Sequence, residues 1–323
     1  MAQTEKPDQG GEVAAHAANG VAAVIVTYFP DPVALRELLR AVAPQVERLV
    51  VVDNTPASDA APASLPQPPA VHSRGSETIS NGHNLGLAAA QNQGIAWAKA
   101  RGASAVVLFD QDSFPAPDMV ERLLAALAAL RAQGAQVGAL GPRWHDRHGK
   151  SDAPFVRLGF GRMINHGCAG AAAPMIECDT LVASGCLMPM ASIDAVGPMN
   201  ESLFIDQVDV EWGMRAQARG LRLFGVCDAV LYHGIGERTV RPWFARSRRM
   251  PVHAPLRDYY LVRNIIAVFF MRPAPWRWRL LQAVRLPAVM LVMVTQMPPR
   301  WTRLKLILRG VGDAMRGRLG PCV

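Results

Sequence analysis

Acidic side chains stand at two places in the sequence where a carboxylate could do chemistry. In the first, Asp110 and Asp112 are two residues apart and directly follow the apolar run Ala105–Phe109. If the chain stays extended there, both carboxylates point to one side, and like charges so close need a cation or hydrogen-bond donors to compensate them. Oxygen ligands of this kind suit Mg²⁺ or Mn²⁺. The alternative is a pair of loop residues that caps a helix beginning near Pro117.

The second place is the segment FIDQVDVEWGMRA, where Asp206 and Asp209 lie at the start of a predicted helix, Val208–Ala218. Either carboxylate could take a proton from a hydroxyl group as a general base. Asp206 could instead be a helix N-cap. Glu211 precedes Arg215 by four residues, so an ion pair along the helix explains it more simply. Two candidates for a base therefore remain.

The elements that must position these carboxylates alternate along the chain. Apolar runs predict buried strands at Val21–Thr27, Leu49–Val52, Ala105–Phe109, Val137–Leu140 and Leu221–Val230. Helical spacing of apolar residues between most of these runs predicts intervening helices. This alternation is typical of an α/β fold with a mostly parallel, doubly wound (Rossmann-like) sheet, and ligands of such sheets bind beyond the carboxyl ends of the strands.

Polar residues gather at the predicted strand ends. The pairs Thr27-Tyr28 and Asp53-Asn54 follow the first two strands, and the last strand runs into His233. No G-x-G-x-x-G follows the first strand, which disfavours a dinucleotide-binding fold. From Arg143 to Asp179 the pattern gives way to Gly, His and Pro, and loops over a site are expected there.

The charge of the chain is unevenly distributed. The net charge is +8, yet residues 241–323 hold sixteen Lys and Arg against Asp258 and Asp313, a net +14, which leaves −6 for the first 240 residues. Tryptophans and short apolar runs separate these basic residues, which favours an anionic membrane surface over nucleic acid as partner. The runs Leu261–Met271 and Leu286–Val294 fall short of the roughly 20 apolar residues that span a bilayer. The tail is expected to lie on a membrane rather than cross it.

Three parts follow from these patterns. Residues 1–20 are small and polar and predict a loose, disordered tail, residues 21–240 a catalytic α/β domain, and residues 241–323 a basic, amphipathic helical region. The five cysteines are scattered and include no C-x-x-C pair. This spacing argues against a disulfide framework and a zinc site, and it suits a reducing cytosol.

The ordered motifs resemble a known family. VIVTY, VVDN, N-x-G-x-A-x-A-x-N, FDQDS, FIDQVDVEWGMRA and YYLVRN follow one another over about Val21 to Asn264. The set is similar to the inverting glycosyltransferases of family 2, which have the nucleotide-diphospho-sugar transferase (GT-A) fold. Within that family it most resembles bacterial rhamnosyltransferases of surface polysaccharide synthesis.

The resemblance implies roles for individual residues. Asp112 would be the main metal ligand, and His233 would complete the site in the position of a histidine that related galactofuranosyltransferases use. Asp209 would be the base, although the glutamate that precedes it in many relatives is Val208 here, which leaves Asp206 as a rival. Trp212 could stack on a sugar or merely pack. Asp110 would touch the ribose or the metal. The residues expected to contact the donor or line its pocket are Thr27, Tyr28, Asp53, Asn54, Asn84, Gly86, Asn92, Asp110 and Trp212.

The implied activity is the transfer of L-rhamnose from dTDP-rhamnose to a lipid-linked or surface glycan, on the inner face of the cytoplasmic membrane. Transfer of a hexose or of galactofuranose, and a catalytically inactive membrane-bound scaffold, are the alternatives. A sugar-nucleotide pyrophosphorylase is disfavoured, because the Gly-rich signature with Arg and Lys expected near the first strand is missing from Thr27-Tyr28-Phe29-Pro30.

Overall fold

The structure is a computed structural model that describes residues 18–57, 66, 75–146, 152–169, 174–233, 239–243 and 250–322. Most of the predicted N-terminal tail, residues 1–17, lies outside the described residues. Ala18–Gly20 belong to the first strand, so these three residues are not part of a disordered tail.

The described residues form thirteen strands and eight α-helices. The strands are β1 Ala18–Thr27, β2 Val46–Asp53, β3 Ser76–Ser80, β4 Ala105–Asp110, β5 Ser113–Pro115, β6 Val137–Asp146, β7 Phe155–Leu158, β8 Met163–His166, β9 Met175–Cys178, β10 Leu187–Pro189, β11 Arg222–His233, β12 Thr239–Val240 and β13 Met250–Pro251. The helices are α1 Pro32–Val42, α2 Leu87–Ala100, α3 Met119–Ala132, α4 Met190–Val196, α5 Val208–Ala218, α6 Pro255–Phe270, α7 Trp276–Gln296 and α8 Arg300–Met315.

One sheet organises the molecule. Its strand order is β3-β2-β1-β4-β10-β6-β11-β5, and β9 also pairs with β11. Strands β3, β2, β1 and β4 are parallel, as are β6 and β11, whereas β10, β5 and β9 run antiparallel to their neighbours. The prediction of a mostly parallel sheet is confirmed. The antiparallel strands come from short segments that carry no clear periodicity.

Helices cover both faces of the sheet because successive side chains of its strands point to opposite sides. Along β1, Val21, Ala23 and Ile25 pack into the apolar cluster that includes α1 and α3, and the alternate residues of β1 pack into a second cluster with α2, α5 and α6. Helix α2 lies very close to β1, since a Cβ added at Gly94 would stand 2.2 Å from Cγ1 of Val24.

The segment predicted as loops, Arg143–Asp179, contains more order than expected. Strands β7 and β8 form a hairpin, and β9 joins the edge of the main sheet. A disulfide bond links Cys168 to Cys227 of β11, with Cα atoms 5.5 Å apart. The sequence argued against a disulfide framework, and it did not reveal this single disulfide, because the two residues are 59 positions apart and only the fold brings them together. Because Cys168 and Cys227 are paired, the cysteine spacing no longer supports a reducing compartment.

The C-terminal helices pack on the catalytic domain. Ile265 and Val268 of α6, with Trp278 and Leu281 of α7, are buried in the same cluster as strand β1. A satellite cluster joins α6, α7 and α8. Asp258 forms a buried ion pair with Arg303, which ties α8 to the start of α6. The predicted boundary at residue 240 thus separates two segments that share a core.

Helix α7 corrects the expectation that no part of the tail reaches the length of a bilayer. It has 21 residues, and by length and composition alone it could cross a membrane; a third of its apolar window is buried inside the protein. Sequence reasoning counted only the uninterrupted run Leu286–Val294 and missed the first half of the helix, where Arg277, Arg279 and Arg285 interrupt the apolar residues.

Candidate active site

Three parallel strands deliver their last residues to one edge of the sheet. Thr27 is in register with Asp53, and Val26 with Asp110. Thr27 Oγ1 donates a hydrogen bond of 2.8 Å to Oδ1 of Asp53. The predicted convergence of the polar strand ends is confirmed, and it places Thr27, Asp53 and Asp110 side by side.

Thr27 and Asp53, at the ends of β1 and β2, form one wall of the site, and the exposed ring of Tyr28 lies beside them. Oδ1 of Asp53 also accepts hydrogen bonds from the backbone N and the Oγ1 of Thr55. Tyr28 is 46% exposed, and its backbone N donates to Oε1 of Gln111, at 2.7 Å, inside the D-Q-D segment. Tyr28 is therefore free to contact a bound base or ribose, while Thr27 and Asp53 hold the wall in place.

The amide side chains of Asn54 and of Asn84 in the N-x-G motif hold the backbone next to this wall. Asn54 is buried, and its Nδ2 donates to the carbonyl of Gly86 (3.0 Å). Oδ1 of Asn84 accepts from the backbone N of Gly86. Gly86 has φ +89°, and a Cβ there would meet the ring and the carbonyl of Phe204 at 2.6 and 2.7 Å, so only glycine fits. Predicted contacts of Asn54, Asn84 and Gly86 with the donor remain predictions.

Two other predicted donor residues have structural partners. Asn92 bonds through Nδ2 and Oδ1 to the backbone of Met199, and Nδ2 also donates to Glu201. Trp212 is 3% exposed, and its Nε1 donates to the carbonyl of Gly197. Of the two alternatives for Trp212, packing is the one observed. A contact of Trp212 with the donor stays a prediction, because α5 turns this side chain into the core.

Three carboxylates crowd the edge of the sheet. The pKa of Asp110 is raised to about 7, first by burial and then by the charges of Asp112 and Asp209, while Arg257 acts in the opposite direction. Like charges at this density disfavour one another's ionised forms, and a bound cation would relieve that repulsion. Asp112, exposed next to Asp110, and Asp110 itself therefore fit a divalent cation through their oxygen atoms.

The backbone of His233 lies at this edge of the sheet. In the antiparallel pair β5–β11 it is opposite Ser113, the residue after Asp112. Its side chain lies outside the described residues, so its role as a metal ligand remains a prediction. Among the described residues, no group of three or more His, Cys, Asp and Glu side chains forms a ready-made metal cage.

The two candidates for a base differ in their partners. Asp209 stands in the first turn of α5, where its carboxylate accepts from the backbone N of Val210 (2.8 Å) and of Ala183 (3.2 Å). Burial raises the pKa of Asp209 against these hydrogen bonds, with a further rise from Asp206. Asp206 forms an ion pair of 3.2 Å with Arg257.

These partners favour Asp209 as the base. The carboxylate of Asp206 is already held by a guanidinium, and Gln207, not Asp206, is the N-cap residue of α5. Asp209 faces Asp110 closely enough for its charge to raise the pKa of that residue. The helix-face interpretation of Glu211 is confirmed, since Arg215 binds it at 2.8 Å.

Sequence reasoning missed several residues around the site. Ser184 is fully buried; its Oγ accepts from the backbone N of Asp110 and lies 2.5 Å from Oγ of Ser113. From the sequence, Arg257 is only one of the many positive charges after residue 240. Neither stands in a pattern that would single it out, because both reach the site from distant segments.

Comparisons with known proteins agree with this architecture. Residues 23–175 match the sequence model of the family described as glycosyl transferase family 2. The chain is 30% identical over 246 residues to the dTDP-rhamnosyl transferase RfbF of Shigella flexneri. The aligned region covers 76% of this chain and 78% of that protein.

Solved structures share the fold at low sequence identity. They include GalNAc-T7 with UDP, GalNAc and Mn²⁺ (TM-score 0.55, 11% identity, covering 92% of this chain and 56% of that chain). They also include S. aureus TarS 1–349 in complex with UDP-GlcNAc (TM-score 0.52, 14% identity, covering 92% of this chain and 80% of that chain). The chain thus spans little more than half of GalNAc-T7. The fold is that of the GT-A glycosyltransferases, and the chain belongs to glycosyl transferase family 2.

Proposed function

We propose that this protein is an inverting, divalent-cation-dependent transferase that moves L-rhamnose from dTDP-rhamnose to a lipid-linked or surface glycan. The observation that carries the reaction type is the position of Asp209 at the start of α5: its carboxylate accepts from the backbone N of Ala183, and the next residue, Ser184, accepts from the backbone N of Asp110. The name of the Shigella flexneri relative, at 30% identity, supports the choice of sugar.

In this reaction an acceptor hydroxyl oxygen attacks the anomeric carbon as the bond from that carbon to the diphosphate oxygen breaks. Asp209 takes the hydroxyl proton, and the diphosphate leaves with the bonding electron pair, so one displacement inverts the anomeric carbon. A divalent cation held by Asp112, with Asp110 and His233 beside it, would stabilise the charge of the leaving diphosphate. The fixed hydrogen bonds of Asp209 keep its carboxylate in one orientation.

The identity of the donor is open to a direct measurement. With Mn²⁺ present, we expect dTDP and dTDP-rhamnose to raise the melting temperature, whereas UDP, GDP and their sugars have little effect. At 100 times Kd a ligand adds about 2.7 kcal/mol of stability, which corresponds to a shift of several degrees. Tyr28→Ala removes an exposed ring from the expected base pocket and should reduce the shift; Val33→Ala, a nearby exposed residue, should not.

The result also separates the alternatives. A shift with UDP-hexoses or UDP-galactofuranose, followed by transfer of that sugar, would replace rhamnose as the donor. No shift and no hydrolysis with any nucleotide sugar would favour the inactive scaffold.

The exposed surface of the C-terminal helices supports the proposed acceptor and location. Trp301, Leu308 and Met315 of α8 recur every seven residues and are 77%, 59% and 66% exposed. Exposed Arg300 and Lys305 lie on the same helix. An apolar stripe edged with basic residues fits the headgroup region of an anionic bilayer. We therefore place the enzyme on the inner face of the cytoplasmic membrane, with a lipid-linked acceptor.

Charge removal tests this placement. Each basic side chain near an anionic surface contributes about 1 kcal/mol, so the triple variant Arg300→Gln, Lys305→Gln, Arg316→Gln should bind phosphatidylglycerol vesicles about 100-fold more weakly. The matched control is Arg36→Gln, Arg40→Gln, Arg131→Gln, which removes the same charge from exposed positions on α1 and α3, on the opposite face of the sheet. Binding should also weaken as salt rises. Equal binding by both triple variants, or wild-type protein that ignores anionic vesicles at low salt, would contradict the placement.

A further inference from the structure

Two buried residues of α6 bind the loop in front of the candidate base. Arg263 and Asn264 are both completely buried. Nδ2 of Asn264 donates to the carbonyls of Leu203 (2.8 Å), Ile205 (2.6 Å) and Asp206 (3.0 Å). Nη2 of Arg263 also donates to Leu203, and its Nε donates to Oδ1 of Asn264. Every polar atom of the Asn264 amide is thus committed to this loop or to the arginine that supports it.

The loop needs such support because its backbone is strained. Phe204, Asp206 and Gln207 have φ values of +66°, +63° and +64°, although none is glycine. Conformations of this kind cost of order 1–3 kcal/mol each and persist only where neighbouring contacts impose them. Gln207 is the N-cap residue of α5, and Asp209 follows two residues later. The path of this loop therefore sets where Asp209 stands.

The loop is also held from the donor side and from the C-terminal end of the described chain. The carbonyl of Phe204 accepts from the backbone N of Leu87, at the start of α2, and its ring stacks on Tyr260 of α6 (centroids 5.1 Å apart). Gly320 accepts from Nη1 of Arg263 (2.6 Å), and its backbone N donates to the carbonyl of Ser202 (2.7 Å). The residues of α6 thus connect the loop 203–207, which precedes the candidate base, to the start of α2 and to the residues after α8.

We propose that Asn264 and Arg263 are positioning residues that hold loop 203–207 so that Asp209 faces the Asp110–Asp112 edge. Their effect on turnover rests on the proposed function, in which Asp209 is the base. Loss of the Asn264 amide leaves carbonyls of the loop without their donor and lets the strained residues relax. A displacement of about 1 Å at a reacting group can cost about 100-fold in rate.

The test compares Asn264→Ala with Val262→Ala. Val262 lies on the same helix and is equally buried, but it packs into the satellite cluster with Val292, Met293 and Ile307, away from the loop. We expect Asn264→Ala to lower kcat about 100-fold with donor affinity unchanged within a few-fold, and amide hydrogen exchange over residues 203–208 to accelerate. Val262→Ala should lower the melting temperature by a similar amount yet keep kcat within about threefold and leave that exchange unchanged.

Unaltered kcat and exchange in Asn264→Ala, or equal losses in both variants, would overturn the positioning role. If Asn264→Ala does not fold, Arg263→Lys is measured in the same way: it keeps the charge but cannot contact Leu203, Gly320 and Asn264 together. Wild-type protein that transfers no sugar would refute the proposed function alone, because the exchange comparison reports on the loop without turnover.

Discussion

Replacement of Asp209 by asparagine should abolish sugar transfer while donor affinity stays within a few-fold. The amide keeps the size of the carboxylate but cannot take the proton of the acceptor hydroxyl, and the loss of a general base costs roughly 10²–10⁴ in rate. Donor affinity should persist because Tyr28, Asp53 and the N-x-G segment are unchanged. Initial rates with saturating donor, and dTDP titrations by calorimetry, give the two quantities.

Asp206→Asn is the matched control, since it makes the same chemical change three residues away. It weakens the ion pair with Arg257 but leaves the hydrogen bonds of Asp209 in place, so turnover should fall by much less than in Asp209→Asn. If Asp206→Asn is the inactive variant and Asp209→Asn works nearly normally, the assignment of the base is wrong.

The pH dependence provides a second check on the same residue. Asp209 acts as a base only when ionised, and desolvation raises its pKa above the ordinary value of 3.8. Activity should therefore rise with pH through that raised pKa and then level off, and the midpoint of the acidic limb should lie above the ordinary aspartate value of 3.8. A midpoint at that ordinary value would mean that a carboxylate with an unshifted pKa acts as the base.

The sequence was sufficient to predict the strands and the polar strand ends, because these features repeat along the chain. Apolar runs located β1, β2, β4, β6 and β11, and the polar residues that follow the first three gathered at one edge as expected, because parallel strands end on the same side. Strand β3 was missed because SETIS is an edge strand of mostly polar residues, with only one apolar side chain. Its pairing with β2 depends on the sheet already being present.

Side-chain partners across the fold could not be predicted in this way. Asn92 is the last residue of the N-x-G-x-A-x-A-x-N motif, yet its amide bonds to Met199, 107 residues away. The motif YYLVRN was part of the family resemblance, but nothing in its spacing shows that Asn264 binds the carbonyls around Asp206. Contacts of this kind come from the packing of α6 against the base loop, which no local periodicity encodes.

Removal of divalent cations should stop turnover completely. In EDTA we expect no transfer, and Mn²⁺ or Mg²⁺ should restore it. The reason is electrostatic: the charges of Asp112 and Asp209 already raise the pKa of Asp110 at the sheet edge, and the diphosphate of a donor adds further negative charge to the same place. Without a cation, that charge has little compensation, and the leaving diphosphate loses its stabilisation.

The protein ligands of the cation can be tested separately from the requirement of the reaction for a cation. Asp112→Asn should raise the cation concentration needed for half-maximal activity at least tenfold, and His233→Ala should raise it if the imidazole is a ligand. Asp118→Asn, which changes a surface carboxylate paired with Arg122, should leave that cation concentration unchanged.

Because the pKa of Asp110 is near 7, cation binding should displace a proton there, so cation affinity should increase from pH 6 to pH 8. Full activity in EDTA would refute the cation requirement, and an unaffected His233→Ala would remove that residue from the site and leave the carboxylates to hold the ion.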